Sequence, residues 1–431
     1  MKKKISVSLA AAIAIIAMTV TFSVTMILAM KMFDRTVSDV NEKQAMYNKL
    51  AEVDQVVRDN FYTEINDDTL YDMLATGYIA GLGDRNSRYY TAKQVIERND
   101  IASGKLMGIG VELTKDTSGY FKVVKLYTGS PAETAGLVKG TILTKVGETD
   151  LKSLTLDTVT GMLRGESGTS VTVTYLKDNV ETAVEIQRSP FDLPLVEYQL
   201  TEDNVGYLKI LSFSEDTAAR LDYAINAMTD QGATSLIFDL RDNADGDLAA
   251  AADCIDLLCP AGTIVSGTYR DGETRVLYTS DEKEVALPMV ALTNESTSGA
   301  AELFAVSIRD FGKGKIVGAT TAGKGTMQRL YSMSDGSAVS LTVAVLVPGR
   351  SESFDGVGVV PDYERVLTAE EKSAYYDFTV KDDPQILRAS EVAVSLAAGN
   401  TGEGPVSSSS SSNVTDSAAA TGSSSSVASG S

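Results

Sequence analysis

Residues 293–305, TNESTSGAAELFA, run from an apolar strand pattern into a helical one, the kind of turn that presents a serine nucleophile at a helix start. Where that serine would stand, the chain has Gly299; the nearby hydroxyls belong to Ser296, Thr297 and Ser298. What such a turn could do depends on its helpers. The 431 residues include no histidine, which removes His-based triads, His-ligated zinc or haem, and the usual acid–base group of neutral pH. Hydrolysis would then require a carboxylate pair, a metal on oxygen ligands, or a lysine acting as base. The acidic set Asp239, Asp242, Asp245 and Asp247 lacks the terminal glutamate of a calcium loop and reads as a solvated turn. No metal or other cofactor is expected. Cys254 and Cys259 fall on different faces of a helical pattern and read as buried thiols instead of a disulfide.

A formal charge of −20 speaks against nucleic acid or anionic lipid as a bulk partner, because no basic stripe exists to displace counterions. The N-terminus is MKKK followed by an uncharged run from Ile5 to Met30. Spanning a bilayer takes roughly 20 residues, so this run is long enough. Its small residues lie inside it instead of after it, which favours an uncleaved anchor over a signal peptide. Lys2, Lys3 and Lys4 would stay in the cytoplasm, leaving everything after Lys31 outside a cell membrane crossed once.

The elements that must position any chemistry follow. The expected fold is α+β and multidomain. Residues 1–32 form the cytoplasmic stub and transmembrane anchor, and 33–104 a helical N-terminal region whose amphipathic face packs on its own domain or on a second copy, giving a homodimer. Residues 105–190 are short Val/Thr/Ile strands with Gly-rich turns, interrupted by the helix TLDTVTGMLRG, a plan that can accept a peptide as an added strand. Residues 191–398 alternate buried strands with helices, an α/β layer with a largely parallel sheet. The Ser-rich tail, 399–431, is too polar to offset its chain entropy and is expected to be disordered.

These pieces, in this order, resemble the carboxyl-terminal processing peptidases, or tail-specific proteases, from about Lys49 to Ala397. AGLGDRNSRYYT is similar to the family's loop before its PDZ domain; MGIGVEL, GSPAETAGLVKGTILTKVGE and MLRGESGTSV resemble the PDZ domain itself. VGYLKILSF, LIFDLRDNADGD, TNESTSGAAELF, VGATTAGKGTMQ, SLTVAVLVPG and GVGVVPD follow the peptidase core. The resemblance implies a serine-type endopeptidase with lysine as base, cutting proteins whose free C-termini the PDZ domain captures. It makes Lys324 the base and Gln328 its orienting partner, places oxyanion donors at Gly246 and Ala300, and gives carboxylate capture to Gly108, Ile109, Gly110 and Val111. A lysine serves as base only if its pKa falls from about 10.4 toward 7–8. The small Gly323 and Gly325 would let a substrate backbone approach it.

Two departures matter. The family's nucleophile precedes the helix glutamate by three positions and the base by twenty-five; from Glu302 and from Lys324 both counts land on Gly299. The family's DLRxNxGG appears as DLRDNADG, with Asp245 for the first glycine of the pair, adding negative charge where an oxyanion would form. Thr141, where the family's turn has aspartate, is a neutral change. Ser298 could act as a surrogate nucleophile, or simply as the helix N-cap. Three outcomes stand: an anchored peptidase using Ser298, a silent relative that binds C-termini, and a scaffolding ectodomain acting through its N-terminal helices.

Overall fold

A computed structural model describes residues 7–102, 105–177, 180–192, 194–244 and 246–399. Four apolar runs, Val205–Ile210, Ser235–Asp239, Met289–Thr293 and Gly314–Gly318, pair in parallel as the middle of a six-stranded sheet. Val196–Leu200 joins one edge antiparallel and Tyr363–Glu364 the other in parallel. Alternate residues serve opposite layers, as a two-residue strand period dictates. Leu236, Phe238, Met289 and Ala291 pack with the helices Thr217–Asp230, Leu248–Leu258 and Ala300–Asp310. Ile237, Val290, Leu292 and Val317 pack with Ile386, Ala389 and Ala393 of the helix Pro384–Ala397. Burial on both faces is why these strands are continuously apolar in sequence. Cys254 and Cys259 are buried and unbridged, and burial pushes both thiols up to about 12.

A second, antiparallel sheet accompanies the parallel one. Its strands are Thr326–Ser332, Ala338–Pro348, Gly262–Tyr269 and Thr274–Ser280. Arg88–Tyr90 pairs with Ala338–Ser340, so the stretch assigned to a helical N-terminal region also contributes a strand to this sheet. Three residues are too few to show a strand period, and only their distant partner defines them.

The β-rich module has its own core of Phe121, Val123, Leu143, Leu151, Val159 and Val173. Its sheet runs Val111–Lys115, Phe121–Leu126, Ile142–Val146, Ser170–Lys177, Val180–Gln187, which leaves Val111–Lys115 at an edge. The helix Leu156–Leu163 begins at Thr155, whose side chain accepts from the Thr158 N–H. Ion pairs tie this module to the core: Lys122 to Asp377 at 3.2 Å and Lys125 to Glu197 at 2.7 Å.

The N-terminal unit comprises the helix Val7–Asn60 and the start of the helix Asp67–Ala80, linked by Arg58, which pairs with Asp54 at 2.9 Å and Asp67 at 2.7 Å. Among the described residues no helix is long and apolar enough to cross a membrane. Residues 1–6 and the side chains of 7–15, on which much of the expected anchor falls, lie outside the described residues, as do Asp245 and the Ser-rich stretch 400–431.

Candidate active site

The strands Ser235–Asp239 and Met289–Thr293 are parallel neighbours, so the loops that follow them open at the same end of the sheet. Each loop is stitched to the other. The Thr297 hydroxyl donates to the Leu240 carbonyl at 2.9 Å, and the Ser298 N–H to the Asn243 carbonyl at 3.0 Å. Asn294 accepts from the Asp242 N–H at 3.1 Å and donates its amide to the Asp242 carboxylate at 2.8 Å.

The turn ends at Gly299, which has φ 63° and ψ −113° and caps the helix Ala300–Asp310. A side chain rarely tolerates that φ without compensation, and glycine adopts it freely. A β-carbon built on Gly299 would lie 3.8 Å from Lys324 Cδ, an ordinary contact. The α-carbon of 299 therefore faces the lysine. Ser298 is not the cap, contrary to the plain reading of its sequence position. It is buried, and among the described residues no hydrogen bond joins its hydroxyl to Lys324.

Lys324 is half-buried, and among the described residues its ammonium has no ion pair or hydrogen bond. Its backbone is held by the fully buried Glu302. That carboxylate accepts from the N–H groups of Gly299 at 2.9 Å, Gly323 at 2.7 Å and Lys324 at 2.7 Å, and from the Thr321 hydroxyl. A negative charge in the first helical turn also suits the helix dipole. One carboxylate thus fixes both the turn and the lysine loop. The close approach foreseen at Gly323 and Gly325 is made by the chain itself: β-carbons there would meet the Gly358 N at 2.8 Å and the Asp355 N at 2.5 Å. Gln328 donates to the Thr326 hydroxyl at 2.6 Å and the Thr342 hydroxyl at 3.4 Å, with no hydrogen bond to Lys324.

Gly246 pairs with Phe213 in an isolated bridge. The N–H groups of Gly246 and Ala300 donate no hydrogen bond within the described residues. Asp239, read from sequence as part of a solvated turn, is fully buried, and its carboxylate accepts from Arg241 at 2.7 Å and the Tyr207 hydroxyl at 2.7 Å. Burial works against its charge, but the Arg241 guanidinium outweighs that and holds its pKa at about 2. Arg241 reaches on to Asp383 at 2.8 Å and Gln385 at 3.0 Å. Asp242 has φ 63° and accepts from the Tyr375 hydroxyl at 2.6 Å; Asp247 caps the helix Leu248–Leu258. Asp239, Asp242 and Asp247 are structural anchors, each with a different task.

Sequence reasoning missed Arg85. Its guanidinium donates to the Gly323 carbonyl and pairs with Asp355 at 3.5 Å, while Asp355 accepts from the Gly325 N–H at 3.2 Å. Neighbouring Asn86 donates to the Thr326 hydroxyl at 2.9 Å. No local pattern could pair residues so far apart.

In the β-rich module, Gly108, Ile109, Gly110 and Val111 line one groove together with Glu112, Leu113, Leu156, Thr160, Leu163 and Arg164. It runs between the edge strand Val111–Lys115 and the helix Leu156–Leu163. Tyr376, from the core, lines it as well.

The peptidase family S41 model matches residues 204–365, which span the parallel sheet, the Gly299 turn and the Lys324 loop. The carboxy-terminal processing protease CtpA of Bacillus subtilis (strain 168) is 30% identical over 333 residues, 77% of this chain and 71% of that one. A protein named as a CtpA-like serine protease in Staphylococcus aureus (strain MRSA252) is also 30% identical, over 76% of this chain and 67% of its own length. Among solved structures, a candidate S41 protease from Bacteroides fragilis NCTC 9343 shares the fold with a TM-score of 0.50 at 18% identity, covering 80% of this chain and 92% of that one. With these sequence matches running through the turn, the lysine loop and the sheet that carries both, the chain belongs to peptidase family S41.

Proposed function

We propose that this S41 member captures protein C-termini in a PDZ-type groove and does not itself hydrolyse peptide bonds. The observation that carries the second half is the direction of the Gly299 α-carbon: its absent side chain would contact Lys324, and among the described residues no neighbouring hydroxyl bonds to that lysine. Ser298 sits one residue earlier, where a displacement of about 1 Å already costs around 100-fold in rate. Supporting the first half, the edge strand Val111–Lys115 offers unpaired backbone groups beside Ile109, Leu156 and Leu163.

The test is cleavage of an unstructured protein by the wild type and by Gly299→Ser. Wild type is expected to leave the substrate intact, and Gly299→Ser to cleave it in a manner abolished by adding Lys324→Ala. Adding Asp245→Gly to Gly299→Ser should raise the rate further, since an oxyanion donor is worth roughly 100- to 1,000-fold. Cleavage by wild type that disappears in Ser298→Ala would overturn the silent reading and establish the surrogate serine.

We propose also that the N-terminus anchors the chain with its main domains outside the cell. Supporting this, the apolar run from Ile5 to Met30 is uncharged, and Ile16, Met18, Phe22 and Met30 expose more than half of their surface. Fractionation with the membrane, resistant to high salt, is expected; release by salt would remove the anchor. In the same unit, Leu50, Val53, Val57, Leu70 and Leu74 line an apolar groove suited to a second copy. A monomeric mass for residues 43–399 in light scattering would end the homodimer proposal.

A further inference from the structure

The groove's apolar side is regular: Leu156, Thr160 and Leu163 lie along one face of their helix, opposite Val111 and Leu113. Glu112 lies between them at a register shift in the strand pairing, and its carboxylate turns from that row toward Tyr127. There the carboxylate accepts from the Tyr127 hydroxyl, and among the described residues it has no ion-pair partner. Lys125, directly across the strand pair, is committed elsewhere: its ammonium lies 2.7 Å from Glu197 and over the Tyr127 ring. Tyr376 completes this side. It lines the same groove as Glu112, and burial, then the charge of Asp242, then that of Glu112 raise its phenol pKa. Arg164 stands at the opposite end, against Gly108.

A peptide added as a strand to Val111–Lys115 points alternate side chains to these two sides. Resting on the capture proposed above, we infer that the groove selects C-terminal segments whose last and third-from-last residues are apolar and which carry Lys or Arg at the intervening or fourth-from-last position. Glu112 would pair with that cation and Tyr376 would cover it with its ring. The peptidase core thereby supplies one wall of the site.

The test uses fluorescein-labelled ten-residue peptides ending in Lys-Leu-Lys-Val, Ser-Leu-Ser-Val or Glu-Leu-Glu-Val, titrated by anisotropy with the full chain in 150 mM salt. The Lys peptide is expected to bind about five-fold tighter than the Ser peptide, with the Glu peptide weakest. Glu112→Gln should abolish that ranking, whereas Glu148→Gln, an equal change in net charge at an exposed turn, should preserve it. Tyr376→Ala should weaken the Lys peptide by several-fold and spare the Ser peptide. Equal affinities, or a ranking that survives Glu112→Gln, would overturn the inference while leaving C-terminal capture standing. Equal binding of free and amidated Lys peptides would instead overturn capture itself.

Discussion

The Gly299–Lys324 region and the groove of the β-rich module are incomplete in opposite ways. Around the turn, the backbone is secured from within: Glu302 satisfies Gly299, Gly323 and Lys324, and Arg85 holds the Gly323 carbonyl. Among the described residues the Lys324 ammonium and the N–H groups of Gly246 and Ala300 have no partner there, and on the silent reading proposed above the missing piece is a side chain of the chain itself. In the groove the open groups are a strand edge, a Glu112 carboxylate with no ion-pair partner among the described residues, and a row of apolar side chains, which on the proposed capture await another molecule. The first gap would be filled by substitution and the second by binding. Open groups can therefore mean different things, depending on what would have to arrive.

That contrast predicts that the two regions fail separately. The largest effect is expected from Glu302→Ala, which strands several buried donors at once. A loss of about 3–5 kcal/mol is expected, seen as a fall of roughly 10 °C in the circular-dichroism melt. Affinity for a free-carboxylate peptide, measured below the new transition, should stay within about twofold. A parallel loss of affinity would break the comparison.

Acid should also strike the core first. The pKa of Asp239 is depressed to about 2, against about 3.9 for an unfolded aspartate. Its contribution is thus complete above about pH 4 and is lost as pH falls through 2, to the extent of about 2 kcal/mol. Urea melts of Asp239→Asn should start from lower stability at pH 7 and lack that part of the acid decline. A smaller effect, about 1 kcal/mol, is expected for Arg85→Ala, whose side chain is half exposed. Faster hydrogen exchange at Gly323–Gly325 with an unchanged groove would sharpen the distinction. Smallest of all, Cys254 and Cys259, with thiols near pKa 12, should resist iodoacetamide at pH 8 until the chain is unfolded.

Most of the parallel layer was legible beforehand because strands buried on both faces leave unbroken apolar runs, as in Met289–Thr293. The nearness of residue 299 to Lys324 was legible too, because the spacings from Glu302 and Lys324 agree on that position. The antiparallel sheet was harder: Thr326–Ser332 exposes much of its surface and Arg88–Tyr90 has three residues, so neither carries a strong period. Arg85 and Tyr376 were invisible, since each acts on a partner hundreds of residues away. Asp239 could have been read better. It stands two residues from Arg241, a separation at which an extended backbone sets both side chains on one side.

The N–H of residue 299 bonds to the Glu302 carboxylate, which holds this turn through its backbone at a φ that glycine adopts freely and any side chain would strain. A hydroxyl-bearing residue placed there would therefore weigh on folding, at about 1–3 kcal/mol of backbone strain. On the silent reading proposed above, giving up the hydroxyl would relax this hinge, and restoring it would load the hinge again.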